Sequence, residues 1–189
     1  MLHFIKELFQ IFSNSNNWNL ENIISLISIL LVAIGGFFAL FQWVSANKIK
    51  RAEFINQIIK RLRFNKDMIY SMHIIEYDDS WYGDSFHNNK KGNETRIDKF
   101  LSYLCYICYM KQMGIIHKKE FAIFEYELVR TCSSHSVCAY LWNLYHFSKS
   151  QNTNCTYQLL IDYGIKNKLI DKNCFMDSAT NKFTKYLNF

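Results

Sequence analysis

One uncharged, strongly apolar run near the N-terminus constrains this chain more than any other feature. No charged residue occurs between Asn22 and Asn47, and the stretch 23–44 has only Ser25, Ser28 and Gln42 as clearly polar residues. A helix of this length rises about 33 Å, and the hydrocarbon core of a bilayer is about 30 Å thick. The run therefore predicts a transmembrane helix at residues 22–46.

A cleaved signal peptide is the competing interpretation of the same run. Val44-Ser45-Ala46 has the small residues of a cleavage site, and a signal peptide has a short basic leader before an apolar region of about 7 to 15 residues. Here the apolar run is longer, and the preceding residues 1–21 are not a short basic leader. The sequence therefore favours a helix that spans the membrane.

The basic residues that flank the predicted span indicate its orientation. Only Lys6 precedes it, whereas six follow it closely: Lys48, Lys50, Arg51, Lys60, Arg61 and Arg63. Because flanking basic residues are retained in the cytoplasm, we expect a single-pass protein with its N-terminus outside and residues 47–189 forming a cytoplasmic domain. In that reducing compartment the six cysteines are expected to be thiols.

Small and polar residues follow one side of the predicted span. They recur at alternating steps of three and four, at Ser25, Ser28, Val32, Gly35, Ala39 and Gln42. Helices associate in lipid through such faces, because small residues allow close approach and polar ones form hydrogen bonds. The pattern predicts self-association through Ser25, Ser28, Gly35, Ala39 and Gln42, facing other subunits or a pore. The alternative is a lone anchor, since serine and glycine are common in transmembrane helices.

The segment before the span, residues 1–21, has the pattern of a short amphipathic helix. Its apolar residues cover most of a helix, and His3, Lys6, Glu7 and Gln10 lie on the opposite side. Such a helix lies in the membrane interface, with Trp18 at headgroup depth, or packs into an oligomeric ring.

The rest of the chain predicts an all-α fold, a helical bundle. There is no proline, and six glycines are too few for a fold rich in tight turns. Apolar recurrence at three- and four-residue spacing predicts helices at 47–64, 66–77, 94–113, 118–132, 135–149 and 155–163. Gly114 is the expected terminator of the third helix. The stretch between Tyr77 and Glu94 reads as a loop, either an ordered contact or a mobile lid.

Four cysteines and one histidine have spacings that zinc sites use. Cys105 and Cys108 are three residues apart, and Cys132, His135 and Cys138 follow at the same interval. Cys105 and Cys108 nevertheless fall on the apolar face of an unbroken helical pattern, where a thiol packs as a small hydrophobe. We therefore expect core cysteines, no metal and no cofactor.

One pair of residues, Arg130 and His135, could act in catalysis. Arg130 and His135 enclose four residues at the predicted junction of two helices, whereas no glycine-rich phosphate loop, HExxH motif or Ser/His/Asp order is present. Imidazole can move protons and guanidinium can stabilise a phosphorane, so the pair suits metal-independent cleavage of RNA. The alternative is a structural role, with these side chains paired to a helix terminus or to a carboxylate such as that of Glu127.

The Arg130/His135 spacing, with helices on both sides, resembles the R-x4-6-H motif of HEPN domains, a helical family rich in RNases. With one N-terminal span and a small size, the whole chain resembles the membrane-anchored HEPN-like accessory proteins of type VI-B CRISPR systems. The resemblance implies a bacterial inner-membrane protein that enhances defence by an RNA-guided ribonuclease. It also implies a homo-oligomeric ring that forms a pore and compromises the membrane.

Three functional hypotheses follow. The first is a non-enzymatic, pore-forming membrane effector in antiphage defence. The second is a membrane-tethered HEPN ribonuclease whose active site combines Arg130 and His135 from two subunits, with direct binding of RNA left open. In HEPN nucleases Asn, Asp or His often follows the arginine, whereas here the residue is Thr131, which favours the first hypothesis. The third is a membrane-bound interaction module.

Overall fold

The computed structural model describes residues 20–78, 81–83, 86 and 93–177. Every regular element within these residues is helical, and no strand occurs among them, so the all-α prediction is confirmed. The predicted amphipathic helix at the N-terminus falls almost entirely outside the described residues. The chain divides into two compact units, Met1–Glu53 and Phe54–Phe189.

The first helix, α1 (Leu20–Phe64), contains the apolar run. Its most apolar 18-residue window has a mean hydropathy of 2.7, and none of that window is buried. The helix is therefore long and apolar enough to cross a membrane. The sequence predicted two helices that meet at residues 46 and 47, but the structure has one, because neither glycine nor proline interrupts the chain there.

The second unit contains the end of α1 and seven further α-helices within the described residues. They are α2 (Lys66–Tyr77), α3 (Asn93–Gln112), α4 (Lys118–Phe121), α5 (Glu125–Ser133), α6 (His135–Ser150), α7 (Gln158–Lys166) and α8 (Lys172–Met176). The predictions for α2, α3 and α6 agree with these bounds to within one residue. The predicted helix 155–163 begins three residues later, and α8 was not predicted.

The predicted helix 118–132 is instead α4, a 3-10 turn at Ala122–Phe124 and then α5. Phe121 and Phe124 are both buried and lie three residues apart. A 3-10 turn has three residues per turn, so it places this pair on one face, which an α-helix does less well. The wrong prediction of one continuous helix therefore comes from a local change of helical period that brings two aromatic rings into the core.

Capping side chains and one glycine set several helix ends. Asn65 Oδ1 accepts a hydrogen bond from the backbone N of Asp67 at 2.9 Å and so begins α2. Gly114 has a φ of +71° directly after α3, and the backbone N of Ile115 then donates to the carbonyl of Met110 at 3.0 Å. The prediction that Gly114 terminates this helix is confirmed, because a left-handed residue here favours glycine.

The core of the second unit is built around α3. Phe100, Leu101 and Leu104 are buried, and so are Cys105 and Cys108, as the sequence predicted for the two cysteines. Helix α3 packs against α2 on one side and α7 on another, and α5 packs against α2, α6 and α7. The end of α1 joins this core: Tyr103 Oη of α3 donates to the carbonyl of Ile58 at 3.0 Å. Ile55, Ile58 and Leu62 of α1 are buried, and Ile59 is half-buried against the core.

The described part of the loop between α2 and α3 makes an ordered contact with the core. Trp81, Tyr82 and Phe86 are buried, and their rings pack against one another and against Tyr140 of α6 at centroid distances of 5.2 to 6.1 Å. The Asn143 side chain donates to Tyr82 Oη at 2.6 Å. These three residues therefore agree with the first of the two loop interpretations.

We predict that Tyr82→Phe lowers the free energy of unfolding of the full chain by about 1 to 3 kcal/mol, because it leaves the buried Asn143 amide without its acceptor. Tyr109→Phe is the control, since Tyr109 is 46% exposed and its change should cost less than about 0.5 kcal/mol. Chemical denaturation in detergent, followed by circular dichroism, measures both. Equal losses for the two variants would contradict this account of the loop.

Candidate functional site

The Arg130/His135 motif lies at the junction of two helices, as the sequence predicted. Helix α5 ends at Ser133, and Ser134 has extended backbone angles, φ −70° and ψ 127°. Ser134 is the N-cap of α6, where its side chain accepts a hydrogen bond from the backbone N of Val137 at 3.4 Å. Arg130 therefore belongs to the last turn of α5, and His135 is the first residue of α6.

Arg130 is held by side chains from two helices. Its guanidinium forms an ion pair with the carboxylate of Glu76 in α2, and its Nη1 donates to Tyr126 Oη at 2.9 Å. The guanidinium also lies 5.5 Å from the ring centroid of Tyr126 and 5.9 Å from that of Tyr77. The side chains of Arg130 and Glu76 are only 28% and 25% exposed, so this ion pair is partly shielded from water and fastens α5 to α2.

The partner that sequence reasoning suggested for Arg130 takes a different role. Glu127 accepts a hydrogen bond from Arg63, near the end of α1, at 3.3 Å. Glu127 and Arg130 nevertheless line one cleft between α2 and α5. The cleft has about 240 Å³ of empty space, open solvent included, and its lining is Met72, Ile75, Glu76, Phe100, Tyr126, Glu127, Arg130 and Thr131.

The surroundings of the motif differ from those of a site prepared for a phosphodiester. The carboxylate of Glu76 already neutralises the guanidinium of Arg130, so an incoming phosphate must displace it. Thr131 is only 2% exposed and is part of the packed interior. His135 is exposed at the start of α6. The arrangement favours a structural role for Arg130, which joins two helices, over a role in binding anions.

The five cysteines whose side chains the structure describes lie in the hydrophobic core or against it. Cys105, Cys108, Cys132 and Cys155 are buried in the hydrophobic core, and Cys138 is half-buried against it. Burial raises the pKa of Cys108 to about 12 and raises the pKa of Cys132 further. Their core placement is confirmed. No group of three or more His, Cys, Asp or Glu side chains in the described part of the chain could hold a metal ion; the expectation that no metal binds stays a prediction.

The polar residues along the apolar part of α1 are all exposed. Ser28 Oγ donates to the carbonyl of Ile24, one turn earlier, at 2.9 Å. Apart from the adjoining residues and the nearby backbone of its own helix, no described atom lies within 4 Å of a Cβ built on Gly35. Ser25, Ala39 and Gln42 are also exposed, as are the apolar residues on the other faces except the half-buried Leu26. Exposure therefore leaves the predicted face open to a partner without distinguishing it from the rest of the helix.

A partly buried polar cluster that the sequence did not reveal joins α3, α6 and the start of α7. Tyr140 and Tyr157 both donate to one oxygen of Asp98, and Tyr157 does so at 3.1 Å. Burial, followed by the bond to Asp98, raises the pKa of the Tyr140 hydroxyl well above its ordinary value. Burial also raises the pKa of Tyr157, so both tyrosines stay protonated and act as donors. Nothing in the sequence marks this cluster, because its members come from separate helices.

Comparisons of the chain with protein-family models, curated proteins and solved structures give no match. The all-helical architecture and the motif geometry are therefore the observations from which a function is argued.

We predict that Arg130→Ala lowers the free energy of unfolding by about 1 to 2 kcal/mol, a value between those of exposed and buried ion pairs. His135→Ala should cost less than about 0.5 kcal/mol, because the side chain is exposed. Melting temperatures of the full chain in detergent measure both effects, and RNA cleavage is assayed on the same samples.

Metal-independent RNA cleavage that His135→Ala abolishes at unchanged stability would contradict the structural role. Loss of a general acid or base lowers a rate by about 100- to 10,000-fold without requiring any change in packing. Arg130→Lys is the companion variant, because it keeps the charge but loses the planar fork that reaches both Glu76 and Tyr126.

We also predict that Cys108 reacts slowly with iodoacetamide in the folded chain. At pH 8, a thiol with a pKa of about 12 is ionised in about one molecule in 10,000, against about one in ten at the ordinary value of 9.0. Mass spectrometry after labelling measures the rate at each cysteine, with denatured protein as the control. Equal labelling of Cys108 in folded and denatured protein would show that it is not a core residue.

Proposed function

We propose that the protein is a membrane effector of antiphage defence that self-associates through α1 into a homo-oligomeric pore and permeabilises or depolarises the membrane. It resides in a bacterial inner membrane as a single-pass protein, with its N-terminus outside and its second unit in the cytoplasm. The observation that carries the proposal is the apolar segment of α1, whose side chains are exposed from Ile23 to Val44, apart from the half-buried Leu26.

An exposed apolar segment of this size is expected to be shielded from water by lipid or by protein. Large exposed apolar patches on proteins mark contacts with membranes or with other proteins. The segment has the length of a membrane span, and lipid covers most of its faces in the proposal. The face of Ser25, Ser28, Gly35, Ala39 and Gln42 then contacts other subunits or a lumen, because polar groups at membrane depth favour the interior of a bundle.

The defence context of the proposal rests on the resemblance to HEPN-like accessory proteins of type VI-B CRISPR systems. In this context the cytoplasmic unit responds to an RNA-guided ribonuclease that has recognised phage RNA, and the membrane part carries out the response. The pairing of Arg130 with Glu76 supports an effector without catalysis. A membrane-tethered HEPN ribonuclease is the second candidate, and the His135→Ala assay separates the two.

We predict that Gly35→Leu reduces both assembly and membrane leakage. A leucine on the small-residue face prevents close approach of neighbouring helices, whereas space around Gly35 within the chain is open, so the fold tolerates the change. Dye release from vesicles that contain the purified full chain measures leakage. Light scattering in detergent measures the mass of the assembly.

Ala33→Leu is the matched control for this experiment. Ala33 lies on a different side of α1 from Gly35, because two residues advance a helix by about 200°, and the change likewise adds a leucine. The proposal predicts wild-type leakage and assembly for Ala33→Leu. If Gly35→Leu also leaves both unchanged, the face is only part of an anchor and the proposed interface is wrong.

A further inference from the structure

One buried carboxylate oxygen lacks a hydrogen-bond donor among the described residues. Glu127 is only 5% exposed, and its Oε1 accepts a hydrogen bond from Arg63 at 3.3 Å. Its Oε2 is buried and accepts none. Leaving a buried acceptor unsatisfied is costly, and more so when it belongs to a carboxyl group. The surroundings of Glu127 should therefore contain a donor that can reach this oxygen.

A donor on the same face of α5 as Glu127 is the guanidinium of Arg130. It follows Glu127 by three residues in α5, and side chains three apart on a helix are neighbours. Both side chains line the cleft between α2 and α5, and Glu76 lines it as well. Two carboxylates and one guanidinium therefore share a single small cleft. In the structure the guanidinium pairs with Glu76.

We propose that Arg130 exchanges between two carboxylate acceptors, Glu76 in α2 and Oε2 of Glu127 in α5. In the second arrangement each oxygen of Glu127 has a donor, since Arg63 occupies Oε1. The carboxylate of Glu76 turns to solvent, which its 25% exposure allows. This inference concerns the second unit alone and does not depend on the proposed pore.

The exchange changes what holds the two helices together. Arg130 paired with Glu76 is a link between α5 and α2, whereas Arg130 paired with Glu127 is a contact within α5. Tyr126 belongs to α5 as well, so its contact with Arg130 is local in both arrangements. The exchange therefore removes the ion pair between α5 and the C-terminal turn of α2, while the packing of the two helices and the contact of Arg130 with the ring of Tyr77 remain. Glu76 and Glu127 are positioning residues for Arg130. When Arg130 pairs with Glu76 it forms an ion pair with α2, and when it pairs with Glu127 that ion pair is absent.

A double-mutant cycle on the full chain in detergent tests the proposal. Glu76→Gln alone should lower the melting temperature only slightly, because Arg130 transfers to Glu127. The same change in a Glu127→Gln background leaves Arg130 with neither carboxylate. The double variant should therefore lose roughly 2 °C or more beyond the sum of the single losses. Glu127→Gln also weakens the contact with Arg63. This loss occurs in both the single Glu127→Gln variant and the double variant, so it cancels in the cycle.

Asp67→Asn supplies the matched control. Asp67 is also an acidic residue of α2, paired with Arg96 and Lys99 of α3 at 3.3 Å each, and is 38% exposed. Combined with Glu127→Gln it should give additive losses, because Asp67 and Glu127 share no donor among these contacts.

The Nη2–H resonances of Arg130 in NMR spectra provide a direct second readout, because Nη2 is the nitrogen that pairs with Glu76. In Glu76→Gln these protons should stay slow to exchange with solvent, and in the double variant they should exchange faster. Additive losses in the cycle would overturn the proposal. So would an Arg130 resonance that exchanges as fast in Glu76→Gln as in the double variant, because the guanidinium would then have no second acceptor.

Discussion

The apolar side chains of α1 must be kept from water, and everything else in the proposed function depends on that requirement. No residue in the most apolar window of the helix is buried in the described structure. A single helix in water cannot hide such a surface by folding on itself. Insertion into lipid removes the free-energy cost of exposing these apolar side chains to water. It leaves the small and polar face of the helix as the part best suited to protein contacts. In the proposed pore, lipid surrounds the apolar faces of α1, and other subunits or the lumen contact its small and polar face.

The second unit is organised by a different principle, a core built around one helix. Nine of the 20 residues of α3 are buried, and Ile97, Leu101, Leu104 and Ile107 are fully enclosed. Its hydrophobic period was clear in the sequence, which is why the bounds of α3 were predicted closely. Helix α2 was predicted from the same kind of apolar recurrence, and in the structure Asn65 caps its start. Local signals of this kind need no knowledge of the fold.

The errors in the predicted helices come from features without a strong local signal. Helix α1 continues past residue 46 because no residue stops it, although the character of the sequence changes there from apolar to basic. The 3-10 turn at 122–124 depends on where Phe121 and Phe124 meet the core, which only the packed domain determines. Helix α8 has five residues, and one and a half turns give too few apolar positions for a period to be recognised.

The candidate site shows the same division between local and tertiary information. The helix junction between Arg130 and His135 was predictable, because Ser134 is a strong capping residue. The partner of Arg130 was not, since Glu76 lies 54 positions earlier and reaches it only through the packing of α2 against α5. Glu127, the nearer carboxylate in sequence, bonds Arg63 instead. Sequence spacing identified the motif, and the fold determined how its arginine is held.

The mass of the full chain extracted from membranes in mild detergent tests the central claim most directly. Multi-angle light scattering separates the mass of protein from that of bound detergent. Because one chain has a mass of 22.6 kDa, the proposed pore predicts a membrane-extracted particle whose protein mass is a discrete multiple of that value. A particle of one chain, or a chain recovered without detergent from the soluble fraction, would contradict the claim that this protein acts as a membrane pore.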